Sequence, residues 1–305
     1  TLTLLPYGAI IAHVGDSRVY RVRNRKLEQL TFDHSLVWEM RASGTVPAGV
    51  AGASLIPKNV ITRSLGPYPD VNVDLEGPFP IQAGDIFMLC SDGLTGEVED
   101  DEIASLLSHL DPERAARVLV DLANLRGGPD NITVSIAKVA NKTLETTETV
   151  TSPLTIGGSA KHSSPGPVAY SLLAASLLGC ALSAVLESFP FAMLLGAVAV
   201  AFAVYVAVKL SGVSSGKKIV GQNARFGKGP YTRTESVSGA KLLVRLEEIG
   251  AKLRKVAREE DMAVDLAVFD KYFSKAQAAA KASDEAAAVN FFCFGLSNYM
   301  DQLRG

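Results

Sequence analysis

Residues 87–102 read FMLCSDGLTGEVEDDE. An apolar run ends at Ser91 and is followed at once by Asp92 and Gly93, and then by a cluster of acids. A buried strand provides rigidity and a glycine allows close approach, so Asp92 is predicted to lie firmly held where a ligand can reach it. Aspartate is also a common turn former, so the remaining sequence has to show whether Asp92 has partners.

Two more aspartates stand beside glycine at predicted strand ends. Asp16 follows the apolar run AIIAHVG, and Asp130 follows GGP directly before a strand predicted over residues 132–139. Carboxylate oxygens are the ligands that magnesium and manganese prefer, and a pair of such ions can clamp a phosphate. The pattern therefore indicates a metal site formed by Asp16, Asp92 and Asp130. Three unrelated turn aspartates explain the same spacing, so that alternative stays open.

The other polar residues of this region have structural explanations. Asp33 and Ser35 in FDHSLVWEMRASG are predicted to start a helix. The stretch following the acidic cluster predicts two helices, with Asp111 and Pro112 as the cap and first turn of the second. The four histidines lack metal-ligand spacing and are predicted to be structural or exposed: His13, His34, His109 and His162.

Composition limits the classes of function. The 305 residues are 48% hydrophobic and 20% charged, with a net charge of -2, so nothing attracts the chain to nucleic acid in general. We therefore expect no nucleic-acid partner. The three cysteines are far apart and odd in number, which argues against a disulfide or zinc framework and predicts a reducing compartment.

The composition changes three times along the chain and predicts four parts. Residues 1–140 are globular, residues 141–167 form a Ser/Thr/Gly/Pro-rich linker, residues 168–209 contain two uncharged apolar runs, and residues 210–305 form a basic segment and a tail. Each apolar run reaches roughly 30 Å as a helix, which predicts a transmembrane helical hairpin.

The charges beside the hairpin predict its orientation. Lysines flank its outer ends and the tip carries only Glu187, so the globular part and the tail are predicted to be cytoplasmic, in a multi-pass protein of the bacterial cytoplasmic membrane. These lysines are Lys161, Lys209, Lys217 and Lys218. In the tail, apolar residues at helical spacing predict two or three amphipathic helices, and a group of aromatic residues is predicted to form their seam.

Five motifs in order resemble one known family. AHVGDSRVY, LTFDHSLV, ITRSLG, GDIFMLCSDGLTGEVEDDEI and GGPDNITV, taken together, are similar to the motifs of bacterial metal-dependent Ser/Thr protein phosphatases of the PPM, or protein phosphatase 2C-like, type. The resemblance covers about residues 1 to 140. It implies an α+β fold, a four-layer αββα sandwich that is incomplete at the N-terminus of this sequence, followed here by the hairpin and an α-helical tail.

The resemblance also implies site residues and chemistry. Asp92 and Asp130 match acids that hold a pair of Mn²⁺ or Mg²⁺ ions, and Asp16 matches an acid linked to a third ion. Ser91, Gly93 and Asn131 flank these acids and are expected to support them. The implied reaction is attack of a metal-bridging water on phosphoserine or phosphothreonine, with phosphoproteins as substrates and a Ser/Thr protein kinase as the opposing enzyme.

One motif of the family does not occur in these 305 residues. The family pattern begins with an Asp-Gly-Met-Gly-Gly type motif whose Asp bridges both metals, and this sequence lacks it. The expectation is a fragment of a longer phosphatase with weak or no activity of its own, or a degenerate relative. The alternative function is a catalytically inactive, membrane-tethered module that binds phosphoproteins or acts as a scaffold.

Overall fold

The structure, a computed structural model, describes residues 1–45, 57, 60–68, 70–157, 167–185, 189–210, 219–260 and 264–304. His162, Glu187 and three of the lysines used to orient the hairpin, Lys161, Lys217 and Lys218, lie outside the described residues. The described chain divides into two compact units. The larger contains residues 1–151 together with 224–305, and the smaller contains residues 152–223. The predicted four-part division therefore differs from the structural one, in which part of the tail joins the globular region.

Two β-sheets form the centre of the larger unit. The first has the order β1-β2-β5 and the second has the order β10-β4-β3-β6-β7, with all neighbouring strands antiparallel. The strands are β1 Leu2–Leu5, β2 Gly8–His13, β3 Arg18–Arg23, β4 Lys26–Gln29, β5 Asp74–Phe79, β6 Ile86–Cys90, β7 Val134–Lys138 and β10 Thr232–Glu235. In the β3–β4 hairpin, Asn24 and Arg25 both have positive φ, as the favoured two-residue hairpin turn requires.

Side chains of the second sheet alternate between two apolar cores. Val19 and Phe87 face the first sheet, where they pack with Ile11 and Phe79. Met88 belongs to the other core, which lies between this sheet and the helices. Because successive side chains alternate between the two cores, β6, the strand that leads to Asp92, has apolar surroundings on both faces.

Helices cover the second sheet in two successive layers. The helices of the larger unit are α1 Leu36–Ala42, α2 Asp92–Thr95, α3 Asp100–His109, α4 Pro112–Leu125, α7 Gly239–Glu259, α8 Leu266–Lys281 and α9 Glu285–Arg304. Helices α3 and α4 contact the sheet, α7 and α9 pack on α3, α9 also packs on α4, and α8 packs on α9. The described residues thus confirm an α+β domain but show the layer order ββαα, not the predicted αββα. The second helical layer comes from the C-terminal helices, which share one core with α3, α4 and the second sheet.

The predicted helix signals are largely confirmed. Asp111 accepts a hydrogen bond from the Arg114 backbone N–H at 3.1 Å, and Pro112 is the first residue of α4, as predicted. The described part of the tail contains three helices, and Phe269 and Phe292 form part of their aromatic seam. Phe294 contacts the ring of Tyr272 at the exposed edge of this seam.

The smaller unit contains α5 Pro167–Val185, α6 Phe189–Leu210 and a two-stranded ribbon of β8 Thr155–Ile156 and β9 Ile219–Val220. Helices α5 and α6 pack against each other. Among the described residues, no helix combines the length and the apolar character needed to cross a membrane. The transmembrane hairpin predicted over residues 168–209 is therefore not supported, and neither is the bilayer as a partner.

The first part of the predicted linker is held against the sheets. The Ile81 backbone N–H donates to Thr146 Oγ1 at 2.7 Å, and the Thr147 N–H donates to the Pro6 carbonyl at 3.0 Å. Residues 141–151 accordingly belong to the larger unit and do not behave as a free connection.

Candidate active site

Asp92 is the first residue after β6 that is exposed to solvent. Ser91, just before it, ties the end of β6 to the loop that carries Asp130. Its hydroxyl donates to the Asn131 carbonyl at 2.9 Å and accepts from the Thr133 N–H at 3.0 Å. The predicted supporting role of Ser91 and Asn131 thus corresponds to a direct hydrogen bond between two site loops.

Gly93 lets the two loops approach closely. A Cβ atom at this position would lie 2.7 Å from the Asn131 carbonyl oxygen, closer than real Cβ contacts allow. The backbone of Asn131 therefore occupies the space that any other side chain at position 93 would need. The Asp-Gly pair in the sequence is explained by this contact.

Asp130 lies in an exposed loop that is anchored from the inside by Arg126. Arg126 donates to both carboxylate oxygens of buried Glu102, at 2.7 and 2.8 Å, and to the Glu97 carbonyl at 2.8 Å. The Asp130 carboxylate accepts from the Asn131 N–H at 2.6 Å. The loop before β7 is thus fixed to α3, and Asp130 stays exposed at its tip.

Asp16 lies half-buried in the turn between β2 and β3, where Gly15 has φ +105°. Burial raises the pKa of Asp16, and the negative charges of Asp92 and Asp130 raise it further, while Arg18 acts in the opposite direction. Asp16 therefore lies within the electrostatic field of the other two predicted acids.

Arg18 forms the main ion pair beside these acids. Its Nε donates to both Asp33 carboxylate oxygens, at 3.1 and 2.9 Å, and its Nη1 donates to the Tyr20 hydroxyl at 2.8 Å. Asp33 is only 3% exposed, so it is an ion-pair partner and not the helix-starting residue that the sequence suggested. The helix begins at Leu36, and the side chain of Ser35 makes no capping hydrogen bond.

His34 fixes the turn that carries Asp16. Its Nδ1 accepts a hydrogen bond from the Gly15 N–H at 3.0 Å, so its Nε2 carries the proton and donates to Asp74 at 2.9 Å. The hydrogen bond from His34 is the main cause that lowers the pKa of Asp74. The prediction of a structural role is confirmed for buried His34. The link from His34 to Asp74 has no local signal in the sequence, because the two residues are 40 positions apart.

A cleft of about 690 Å³ opens between the two sheets, and Ser17 and Ser91, the sequence neighbours of Asp16 and Asp92, lie in its wall. The lining includes Arg18, the predicted supporting residue Ser91, and Thr133 of the loop that carries Asp130. The cleft therefore provides space for a ligand at the strand ends. Its walls also include Ala12, His13, Val14, Val19, Leu89 and Cys90.

The acids fit a hard divalent cation by their chemistry but do not form a full metal centre. Asp16, Asp92 and Asp130 provide carboxylate oxygens, and magnesium is often held by one or two carboxylates with several waters. Across the described ranges, however, no three His, Cys, Asp or Glu side chains are gathered so that they could hold a metal ion together. The assignment of these three acids to a metal stays a prediction.

Comparisons with known proteins point to one kind of enzyme. No protein-family model matches the chain. A Streptococcus pyogenes protein named putative protein phosphatase 2C-type is 39% identical over 145 residues, which cover 47% of this chain and 58% of the relative. The Serine/threonine phosphatase stp of Listeria welshimeri is 42% identical over 130 residues, covering 42% and 51%.

Solved structures of serine/threonine phosphatases are also similar to this chain in sequence. The serine/threonine phosphatase of S. agalactiae is 38% identical over a match that covers 44% of this chain and 55% of that one, and it superimposes with a TM-score of 0.41. The chain spans about half the length of the curated relatives it matches. By sequence, the family to which this chain is similar is that of the bacterial PPM-type, or protein phosphatase 2C-type, Ser/Thr phosphatases.

Proposed function

We propose that the region of residues 1–140 belongs to a protein phosphatase that hydrolyses phosphoserine and phosphothreonine in proteins. The observation that carries the proposal is the placement of three acids at strand ends: the Ser91–Asn131 hydrogen bond joins the Asp92 and Asp130 loops, and both acids are near enough for their charges to raise the pKa of Asp16. Sequence identity of about 40% to proteins named as Ser/Thr phosphatases supports the same activity.

In this proposal the three carboxylates hold Mn²⁺ or Mg²⁺. A divalent metal there would supply Lewis-acid stabilisation of the charge that develops on the phosphoryl group. The chain's own contribution is positional. Ser91 and Gly93 hold the Asp92 and Asp130 loops together, and Arg126 anchors the second of them.

The test is manganese-dependent hydrolysis of a phosphothreonine peptide by the complete open reading frame that encodes this chain. Asp92→Asn and Asp130→Asn keep the size of each side chain but remove its charge, so each is expected to lower turnover by about 100-fold or more. Asp70→Asn is the matched control, because Asp70 is exposed and lies outside the acidic group. Full activity in both site variants would refute the metal role of these acids.

A second candidate function is a phosphoprotein-binding module without turnover. It is favoured by the finding that the described residues contain no group of three metal-binding side chains. The same assay separates the two functions. Binding of the phosphopeptide, measured by calorimetry, without hydrolysis in manganese or magnesium would replace the enzyme by the binding module.

The partners and surroundings follow from the proposed activity. We propose that the substrates are phosphoproteins and that a Ser/Thr protein kinase opposes the reaction. A reducing compartment is supported by Cys90 and Cys293, which are buried and free. Burial raises the pKa of both thiols to about 12, so neither is suited to disulfide exchange.

A further inference from the structure

The segment that connects to β10 is shaped around one buried carboxylate. Glu76 on β5 is 2% exposed, and it accepts hydrogen bonds from the Gly229 N–H at 3.0 Å and from the Tyr231 hydroxyl. Gly227 has φ +66°, and a Cβ atom there would collide with the Glu76 carboxylate. Residues 226–231, FGKGPY, therefore fit this site by specific contacts and not only by apolar packing.

Tyr231 connects this segment to the turn before α1. Its backbone N–H donates to the Gln29 carbonyl at 2.8 Å, and its ring meets the Phe32 ring edge-on, with centroids 5.4 Å apart. Tyr231 thus packs against Phe32, the residue before Asp33, although more than 190 positions separate the two in the sequence.

Two routes lead from Tyr231 to the ion pair beside the acids. In the first, Gln29 is 1% exposed and its Nε2 donates to Asp33 Oδ1 at 2.8 Å, while Asp33 binds Arg18. In the second, the Phe32 ring lies edge-on to Trp38, and the Arg18 guanidinium lies 5.7 Å from the Trp38 ring. One route is made of hydrogen bonds and the other of ring contacts, and both end at Arg18.

We propose that Tyr231 is a positioning residue for the Arg18–Asp33 ion pair, so that the C-terminal part of the chain helps to set the geometry at the acidic strand ends. The inference rests on the proposed function only in taking those strand ends as the active site. Tyr231 itself touches no reacting group. Its side chain acts through the Phe32 ring, while its contact with Gln29 is made by the backbone and is kept when the side chain is replaced.

The test uses the full chain and follows the Arg18 Nε proton by NMR. This proton is expected to exchange slowly with solvent in the wild type, because it donates to buried Asp33. Tyr231→Ala removes the ring and the hydroxyl, so we expect exchange to become about 2- to 30-fold faster and peptide turnover to fall by a factor in the same range. Tyr231→Phe keeps the ring against Phe32 and is expected to restore most of the protection.

Two further variants keep the test decisive. Tyr231→Leu retains most of the buried volume and is expected to show the same faster exchange, so unfolding of the alanine variant does not decide the result. Val244→Ala is the control in the same C-terminal part, because Val244 is 57% exposed on α7, and the Arg18 proton is expected to be unchanged there.

The two proposals fail in different ways. An unchanged Arg18 exchange rate in both Tyr231→Ala and Tyr231→Leu overturns this inference, whatever the activity. A wild-type protein that does not hydrolyse the phosphopeptide refutes the proposed function, while the Arg18 signal still decides whether Tyr231 positions the ion pair.

Discussion

His13 is a buried base at the end of β2, next to the cleft. It is 6% exposed, its Nε2 faces the Phe32 carbonyl at 3.0 Å, and its ring lies 4.9 Å from that of His34. Burial lowers the pKa of His13 to about 4, and His34 lowers it further, while Asp74 acts in the opposite direction. The folded chain therefore holds His13 neutral at pH values where the unfolded chain would protonate it.

This difference predicts how stability depends on pH. Because the folded pKa lies below the unfolded value of 6.5, the unfolded state binds more protons between pH 6.5 and 4, and stability is lost as the pH falls through that window. The loss is at most about 1.4 kcal/mol per pH unit. We expect His13→Asn to remove this contribution from the slope of the unfolding free energy, measured by urea titration at several pH values. Equal slopes in wild type and variant would contradict the assignment.

The elements were predictable where their signals are local. The apolar run before the Asp92-Gly93 pair predicts the strand, and the cap and proline at Asp111-Pro112 predict the start of α4. Apolar residues at helical spacing predict the tail helices. Strand β10 was missed because its four residues, TRTE, lie in a polar, basic segment. They become a strand only by pairing with β4, in the register Thr232 with Gln29. The role of Asp33 was predicted wrongly for a similar reason. Its ion-pair partner, Arg18, lies on β3, 15 positions earlier in the chain.

Helix α4 offers a test of a local signal. Asp111→Ala removes the acceptor for the Arg114 N–H, so we expect the chain to lose about 1 kcal/mol of stability. Asp111→Asn can still cap the helix and is expected to lose much less. Urea unfolding monitored by circular dichroism gives both values. If the two variants lost stability equally, the side-chain cap would not be the cause.

At the scale of the whole molecule, the first and last parts of the sequence build one core. Met88 and Leu119 belong to the same apolar cluster as Leu246 of α7 and Phe292 of α9. A salt bridge also joins α7 to α3, since Arg245 makes two hydrogen bonds to Asp101, at 2.9 and 3.0 Å. The C-terminal helices and the sheets are therefore expected to unfold as one cooperative unit.

A substitution in the shared core tests this cooperativity. Leu246 is fully buried, so Leu246→Ala is expected to cost about 2–5 kcal/mol. Hydrogen exchange should then speed up in β6 as well as in α9. Val244→Ala, at an exposed position two residues away, is expected to leave the hydrogen-exchange rates of β6 and α9 unchanged. Faster exchange in α9 with an unaltered β6 would show that the tail unfolds separately.

The pairing of β10 with β4 also has a consequence for synthesis on the ribosome. Gln29 and Thr232 are paired in the sheet but separated by about 200 residues, which take roughly 10–40 s to translate. During that time the outer edge of β4 has no strand to pair with, although β3 is already present. An open edge invites pairing with other nascent chains, and charged side chains oppose it. Lys26 and Glu28 on β4 are suited to that protective role until the last quarter of the chain emerges.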